Sequence, residues 1–268
     1  MQKHTKGLPF TLTVEGGRDI KLEIIIMTMQ PNLHRALGTA ETISTLLEER
    51  CAGSPQGQIH IWSPFQGKPQ QLSGHIGLWC SLVTCYLPEM LHLAIQPGRE
   101  ASQHTFLVLE DDAVPAKGLQ AKHIVEAIQN WRKLQSRSVR SLAHPTAVCT
   151  LGFHKRCDHT NKGYGGHHYL DVRPLHGLHA WLLDGGHIQD VLDRLRWLDP
   201  LQAPPIDVWF YEHCPCLVAH TIECLFGYSE HQSDTESFHR PALVECMHLA
   251  TQAICPTIVV PLAVHPTC

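Results

Sequence analysis

The chain has 268 residues, a formal net charge of −4, 43% hydrophobic residues and 17% charged ones. That balance excludes a disordered chain, which buries too little apolar surface to offset its conformational entropy. It also argues against a dedicated nucleic-acid binder, which would carry a basic face.

The opening MQKHTKGLPFTLTVEGG lacks the apolar core of a secretory leader. KLEIIIMTM (21–29) is a β-rich run that predicts a strand. HRALGTAETISTLLEER (34–50) has apolar residues at helical spacing. GQIHIWS (57–63) predicts the next strand and GLWCSLVTCYLPEMLHLAI (77–95) a long apolar helix. TFLVLEDD (105–112) predicts a strand that ends in carboxylates, AKHIVEAIQNWRKL (121–134) an amphipathic helix, and TAVCTLGF (146–153) a further strand. This alternation predicts an α/β protein with a predominantly parallel central sheet flanked by helices. HKRCDHTNKGYGGHH (154–168) breaks the pattern as a long polar loop, a type of segment that is often functional. Beyond it come HAWLLD, the helical GGHIQDVLDRLRWL, the turn DPLQAPP and the short IDVWF (206–210), expected as a strand. No repeat, low-complexity tract or linker interrupts the chain, so a single domain over 1–268 is expected.

The 11 cysteines are an odd number without a CxxC pair, which indicates neither a disulfide framework nor a zinc ribbon. A reducing compartment with mostly buried thiols, and hence a cytoplasmic location, is the expectation; the alternative is an export signal absent from this sequence. No apolar run is long enough to span a bilayer, since ICPTIVVPLAV (254–264) is short and broken by prolines. The polar loop holds His154, Cys157, His159, His167 and His168, all zinc-compatible types, but in no spacing of a known zinc module. A zinc-binding interaction protein built on that loop is therefore one rival reading. Cys214 and Cys216 are too close to act as a metal pair without other partners. Lys155, Arg156 and Lys162 could meet an anionic acceptor or remain solvated.

Glu110, Asp111 and Asp112 follow directly on an apolar strand. Unpaired charge is costly inside such a strand, whereas its carboxyl end opens on the crevice where α/β sheets bind ligands. Three adjacent carboxylates repel one another unless a cation sits among them, and oxygen ligands select hard ions such as Mg²⁺ or Mn²⁺. The bland alternative is that Glu110 and Asp111 cap the next turn.

LVLEDDAVP resembles the acidic metal motif of GT-A nucleotide-sugar glycosyltransferases, particularly glycosyltransferase family 25, which includes lipopolysaccharide-modifying and collagen galactosyltransferases. Further segments follow in that family's order: SGHIGLWCS (73–81), HGLHAWLLDGGHIQDVL (176–192), PPIDVWF (204–210), and CPCLVAH (214–220) with the later Ser233-Asp234 pair. The family's upstream Ser-His pair is Ser81-Leu82 here. Its N-terminal signature is matched in MQPNLHRAL only by Asn32, Leu33 and Arg35.

The resemblance implies a GT-A-type fold, with a donor and metal half over about 20–115 and an acceptor half over about 145–240. It implies inverting, Mn²⁺- or Mg²⁺-dependent transfer of a hexose, galactose or glucose first, from a UDP-sugar to a hydroxyl acceptor. A saccharide is the default acceptor; a hydroxylated protein side chain or a hydroxymethylated nucleobase is the alternative, so nucleic acid enters only as acceptor. On this reading Asp112 coordinates the metal, Glu110 orients the ribose or a metal-bound water, and Asp111 is open to either role. Thr28 and Arg35 belong with Glu110 and Asp111 on the donor side, and His220 completes the metal shell. Asp207 is the general base that takes the acceptor's proton, or else a hydrogen-bonding partner of backbone or acceptor. Gly177 and His179 border the sugar, or serve strand packing alone. A second rival keeps the fold but loses the activity, as a binding protein with a degenerate donor site.

Overall fold

The computed structural model describes residues 2–6, 10–13, 19–28, 32–48, 59–63, 75–96, 100–138, 147–152, 155–156, 170–171, 175–198, 205–213, 218–221 and 224–228. The first half of the chain supplies β1 (Gln2–Lys6), β2 (Phe10–Thr13), β3 (Asp19–Met27), α1 (Leu33–Glu48), β4 (Ile59–Ser63), α2 (His75–Ser81), α3 (Leu87–Ala94), β5 (His104–Glu110), β6 (Ala113–Pro115) and α4 (Ala121–Ser138). The second half supplies β7 (Val148–Gly152), β8 (Lys155–Arg156), β9 (Leu170–Asp171), β10 (Leu175–His176), β11 (Ala180–Asp184), α5 (Ile188–Arg196), α6 (Ile206–His213), β12 (Val218–Thr221) and β13 (Phe226–Tyr228).

The main sheet runs β1-β4-β3-β5-β11-β7-β12-β9. Its central strands read as nearly continuous apolar runs because both faces are covered. Ile24, Ile26, Leu107, Leu109 and Leu182 face one core with α1 and α4, which contribute Ile43, Leu47, Ile128 and Trp131. The alternate residues Ile25, Met27, Phe106, Val108 and Trp181 face the other core with α2, α3, α5 and α6. α5 shows how the sequence selects its element: Ile188, Val191, Leu192 and Leu195 are buried at positions i, i+3, i+4 and i+7.

The expectation of a predominantly parallel sheet is corrected. β3 is parallel to β4 and β5, and β12 to β7, but β11 enters antiparallel between β5 and β7. A parallel return requires a crossover, usually a helix. The described residues between β7 and β11 form the short strands β8, β9 and β10, and β11 runs opposite to both its neighbours. The N-terminal segment holds strands that its weak pattern did not predict: β1 pairs with β4 and β2 with β3, both antiparallel.

The expected strand at 206–210 is instead the start of α6. The Trp209 N–H donates to the Pro205 carbonyl at 2.9 Å, and Ile206, Trp209 and Phe210 are buried at helical spacing. A five-residue apolar run cannot by itself distinguish strand from buried helix, and Pro205 favours a helix start. The long helix predicted over 77–95 forms, but it widens into a π-helical turn at Leu82–Tyr86 between α2 and α3. Pro88 has no N–H to give the carbonyl of Thr84 four residues back, and that residue lies in the widened turn. Among the described residues no helix is long and apolar enough to cross a membrane. Cys80, Cys85, Cys149 and Cys224 form no disulfide among the described residues, and burial pushes the Cys149 thiol above its ordinary range.

Candidate functional site

The carboxyl ends of β3, β4 and β5 meet at one edge of the sheet, with Met27 beside Glu110 in register. Thr28 follows β3 directly and Arg35 lies in the first turn of α1. Both reach Asp111: Thr28 Oγ1 donates to Oδ2 at 2.5 Å and Arg35 Nη2 to Oδ1 at 2.9 Å. Thr39 Oγ1 donates to the Asp111 carbonyl at 2.9 Å. Three residues assigned to the donor side from sequence, Thr28, Arg35 and Asp111, are thus brought into one hydrogen-bonded group. Asp111 has a hydrogen bond on each carboxylate oxygen, which makes it a clasp joining the end of β5 to Thr28 after β3 and to Arg35 on α1.

Glu110 and Asp112 flank the clasp. Burial pushes Glu110 up to about 8, and the charges of Asp112, Asp111 and Asp207 add to the effect in that order. Asp207 in α6's first turn is tied to the acidic strand end through Gly177–His179, which bonds Asp207 at one end and the Glu110 N–H at the other, although 96 residues of sequence lie between Glu110 and Asp207. Among the described residues, no three His, Cys, Asp or Glu side chains converge well enough to hold a metal ion by themselves.

Asp207 is carried on a firmly seated helix. Trp209 packs edge-on against Trp79 at 5.8 Å, and Phe210 lies against Trp181 at 6.4 Å. Its position in the first turn of α6 suits a carboxylate, because the helix dipole is positive there. Asp207 Oδ2 accepts the Gly177 N–H at 2.8 Å, so the carboxylate does bond backbone, one of the two roles expected of it. Oδ1 makes no hydrogen bond among the described residues. Gly177 itself has φ 103°, a conformation that L side chains rarely adopt.

His179 is fully buried, with Nε2 2.8 Å from the Phe226 carbonyl. Its ring fills a notch at Gly152, where an added Cβ would come within 2.6 Å of the imidazole. The imidazole is thus packed against β7 and β13. β7 carries a bulge opposite Ala180 and Trp181, and the Leu151 carbonyl there accepts from the Leu225 N–H at 2.8 Å. That bulge lets β13 close over Gly152.

His220 lies on β12 opposite Thr150, but its side chain is outside the described residues. The side chains of Lys155 and Arg156 are likewise outside, as are His154, Cys157, His159, Lys162, His167, His168, Cys214, Cys216, Ser233 and Asp234. At the upstream segment, Ser81 and Leu82 are both buried.

Sequence reasoning missed Tyr86 and Trp62. The Tyr86 hydroxyl donates to the Trp62 carbonyl at 3.1 Å, the same oxygen that accepts the Thr28 N–H at 3.1 Å. The two rings stack at 6.2 Å, and burial, then the charges of Cys85 and Asp111, raise the Tyr86 phenol well above its usual range. The one signal available was Pro88 inside an apolar helix, which marks a local distortion without saying which side chain it redirects.

No family model matches the chain, and no curated protein matches it. Among solved structures, the chain is similar to a glycosyltransferase involved in the glycosylation of the major capsid of PBCV-1, at 14% identity and a TM-score of 0.42, over 86% of this chain and 98% of that one. At that level of likeness two chains need not share a chemistry.

Proposed function

We propose that this chain is a glycosyltransferase that moves a hexose from a UDP-sugar to a hydroxyl acceptor with inversion, assisted by Mn²⁺ or Mg²⁺. The observation that carries the reading is the carboxylate cluster at the sheet's carboxyl edge, where Glu110 is held up to about 8 by burial and by Asp112, Asp111 and Asp207. A cation is the ligand that would reverse this repulsion, and the ordered resemblance to glycosyltransferase family 25 supports the same chemistry. Among the described residues no three His, Cys, Asp or Glu side chains converge, so Glu110 and Asp112 would supply only part of a metal shell. Mg²⁺ is usually held in this manner, by one or two carboxylates and substrate phosphates. Asp112 would hold the ion, with Glu110 orienting the ribose or a bound water. When bound, the ion offsets negative charge on the departing diphosphate.

The remaining work falls to the chain's own groups. The clasp of Thr28, Arg35 and Asp111 orders the donor side. Asp207, with Oδ2 fixed by Gly177, presents Oδ1 to the acceptor hydroxyl and takes its proton. As the acceptor oxygen bonds to C1, the bond from C1 to the diphosphate breaks on the opposite face.

The test is release of free UDP from UDP-galactose and UDP-glucose, with a mixture of saccharide acceptors, in Mn²⁺ and in EDTA. Release in Mn²⁺ alone is expected. Full release in EDTA would remove the metal's role, and no release from any UDP-hexose together with no UDP binding would remove the activity.

A further inference from the structure

Three residues join the acidic edge to Asp207. At one end the Gly177 N–H donates to Asp207 Oδ2 at 2.8 Å; at the other the His179 carbonyl accepts the Glu110 N–H at 2.9 Å. We propose that Gly177–His179 is a strut that sets the position of Asp207 relative to Glu110, with Gly177 and His179 as positioning residues. Its functional half rests on the glycosyltransferase reading above.

The strut is pinned along its whole length. Gly177, Leu178 and His179 are all buried. His179 is locked twice, by the Phe226 carbonyl on Nε2 and by the notch that glycine leaves at position 152. Gly177 turns its N–H toward Asp207 at φ 103°, where any side chain would be strained. Asp207 bonds no amide of its own helix among the described residues, so it is spent on the strut and not on capping α6. Three residues span at most about 10 Å, which bounds the separation the strut can impose. A proton acceptor must face the reacting carbon from the side opposite the leaving group, and a misplacement of about 1 Å costs up to roughly 10²-fold in rate.

Amide hydrogen exchange on the full chain tests the strut without requiring activity. In Asp207→Ala the amides of Gly177 and Glu110 should exchange about ten-fold faster or more, with Ile25 in the middle of β3 unchanged. Asp207→Asn, whose amide oxygen accepts the same bond, should stay within about three-fold of the parent protein. Unchanged exchange at Glu110 in Asp207→Ala, or equal acceleration at Ile25, overturns the strut. The catalytic arm is Gly177→Ala, expected to lower kcat about ten-fold or more per UDP-binding site while donor KM stays within about two-fold. A variant that loses donor KM alone would overturn the positioning role. If the parent protein turns over no UDP-sugar, the glycosyltransferase reading fails, and the exchange result still decides the strut.

Discussion

Glu23 and Glu110 lie on the neighbouring parallel strands β3 and β5, at opposite ends of one pairing, and their surroundings push them in opposite directions. Glu23 sits beside Phe106 in the ladder, fully buried, with His104 Nδ1 at 3.2 Å and His60 Nε2 at 3.3 Å. Burial alone would raise it, but hydrogen bonds and charge from His104 and His60 outweigh that and lower it to about 2. Glu110 is surrounded instead by Asp112, Asp111 and Asp207, and burial and like charge both raise it, to about 8. The fold therefore surrounds one carboxylate with imidazoles and the other with carboxylates. Groups pushed upward by like charge gather more often at binding sites than in a packed interior.

The largest effect expected from this contrast is on stability. Glu23→Gln should cost about 1–3 kcal/mol in urea unfolding, the usual penalty for leaving buried polar groups with poorer partners. A cost below about 1 kcal/mol would mean that the two imidazoles do not hold a charged partner. Asp112→Asn comes next and should act on activity alone, lowering UDP-hexose turnover by roughly 10²-fold with little change in melting temperature. A stability loss as large as that of Glu23→Gln would erase the distinction between the two ends.

The smallest effect is a pH profile with two arms. Glu110 binds a proton more tightly folded than unfolded, so its contribution is present below its ordinary value of 4.5 and lost as pH rises through about 8. Without divalent cation, the melting temperature should fall between pH 5 and pH 8, and Mn²⁺ should restore more at pH 8 than at pH 5. Glu23 has the opposite sign: its contribution is present above 4.5 and lost as pH falls toward about 2. Glu110→Gln should flatten the alkaline arm and leave the acid arm intact. A profile that Mn²⁺ shifts equally at both pH values would detach cation binding from Glu110.

The strand end was legible because it depends on short-range pattern: an apolar run ending in three carboxylates marks it. The bonds that Thr28 and Arg35 make to Asp111, at 2.5 and 2.9 Å, join residues 83 and 76 positions apart and follow from no local pattern. The segment that carries Asp207 was less legible. Residues 206–210 read equally as strand or helix, and the choice fell to Pro205 and to the aromatic packing of Trp209 and Phe210. His179 read equally as a group bordering a sugar or as strand packing; its ring is buried against Gly152.

Sequence by itself determined the α/β class, helices expected over 34–50, 121–134 and 185–198 and found at 33–48, 121–138 and 188–196, and the placing of Glu110, Asp111 and Asp112 at a strand's carboxyl end. Those features follow from periodicity and local propensity, which act within a few residues. Tertiary structure alone decided that β11 enters antiparallel, that β1 and β2 extend the sheet, and that Glu23 meets two histidines from flanking strands. It also brought Asp207 to the acidic edge through Gly177 and His179. Strand direction and side-chain partnership depend on which distant segments can be buried together, and hydrophobic burial carries no label naming the partner.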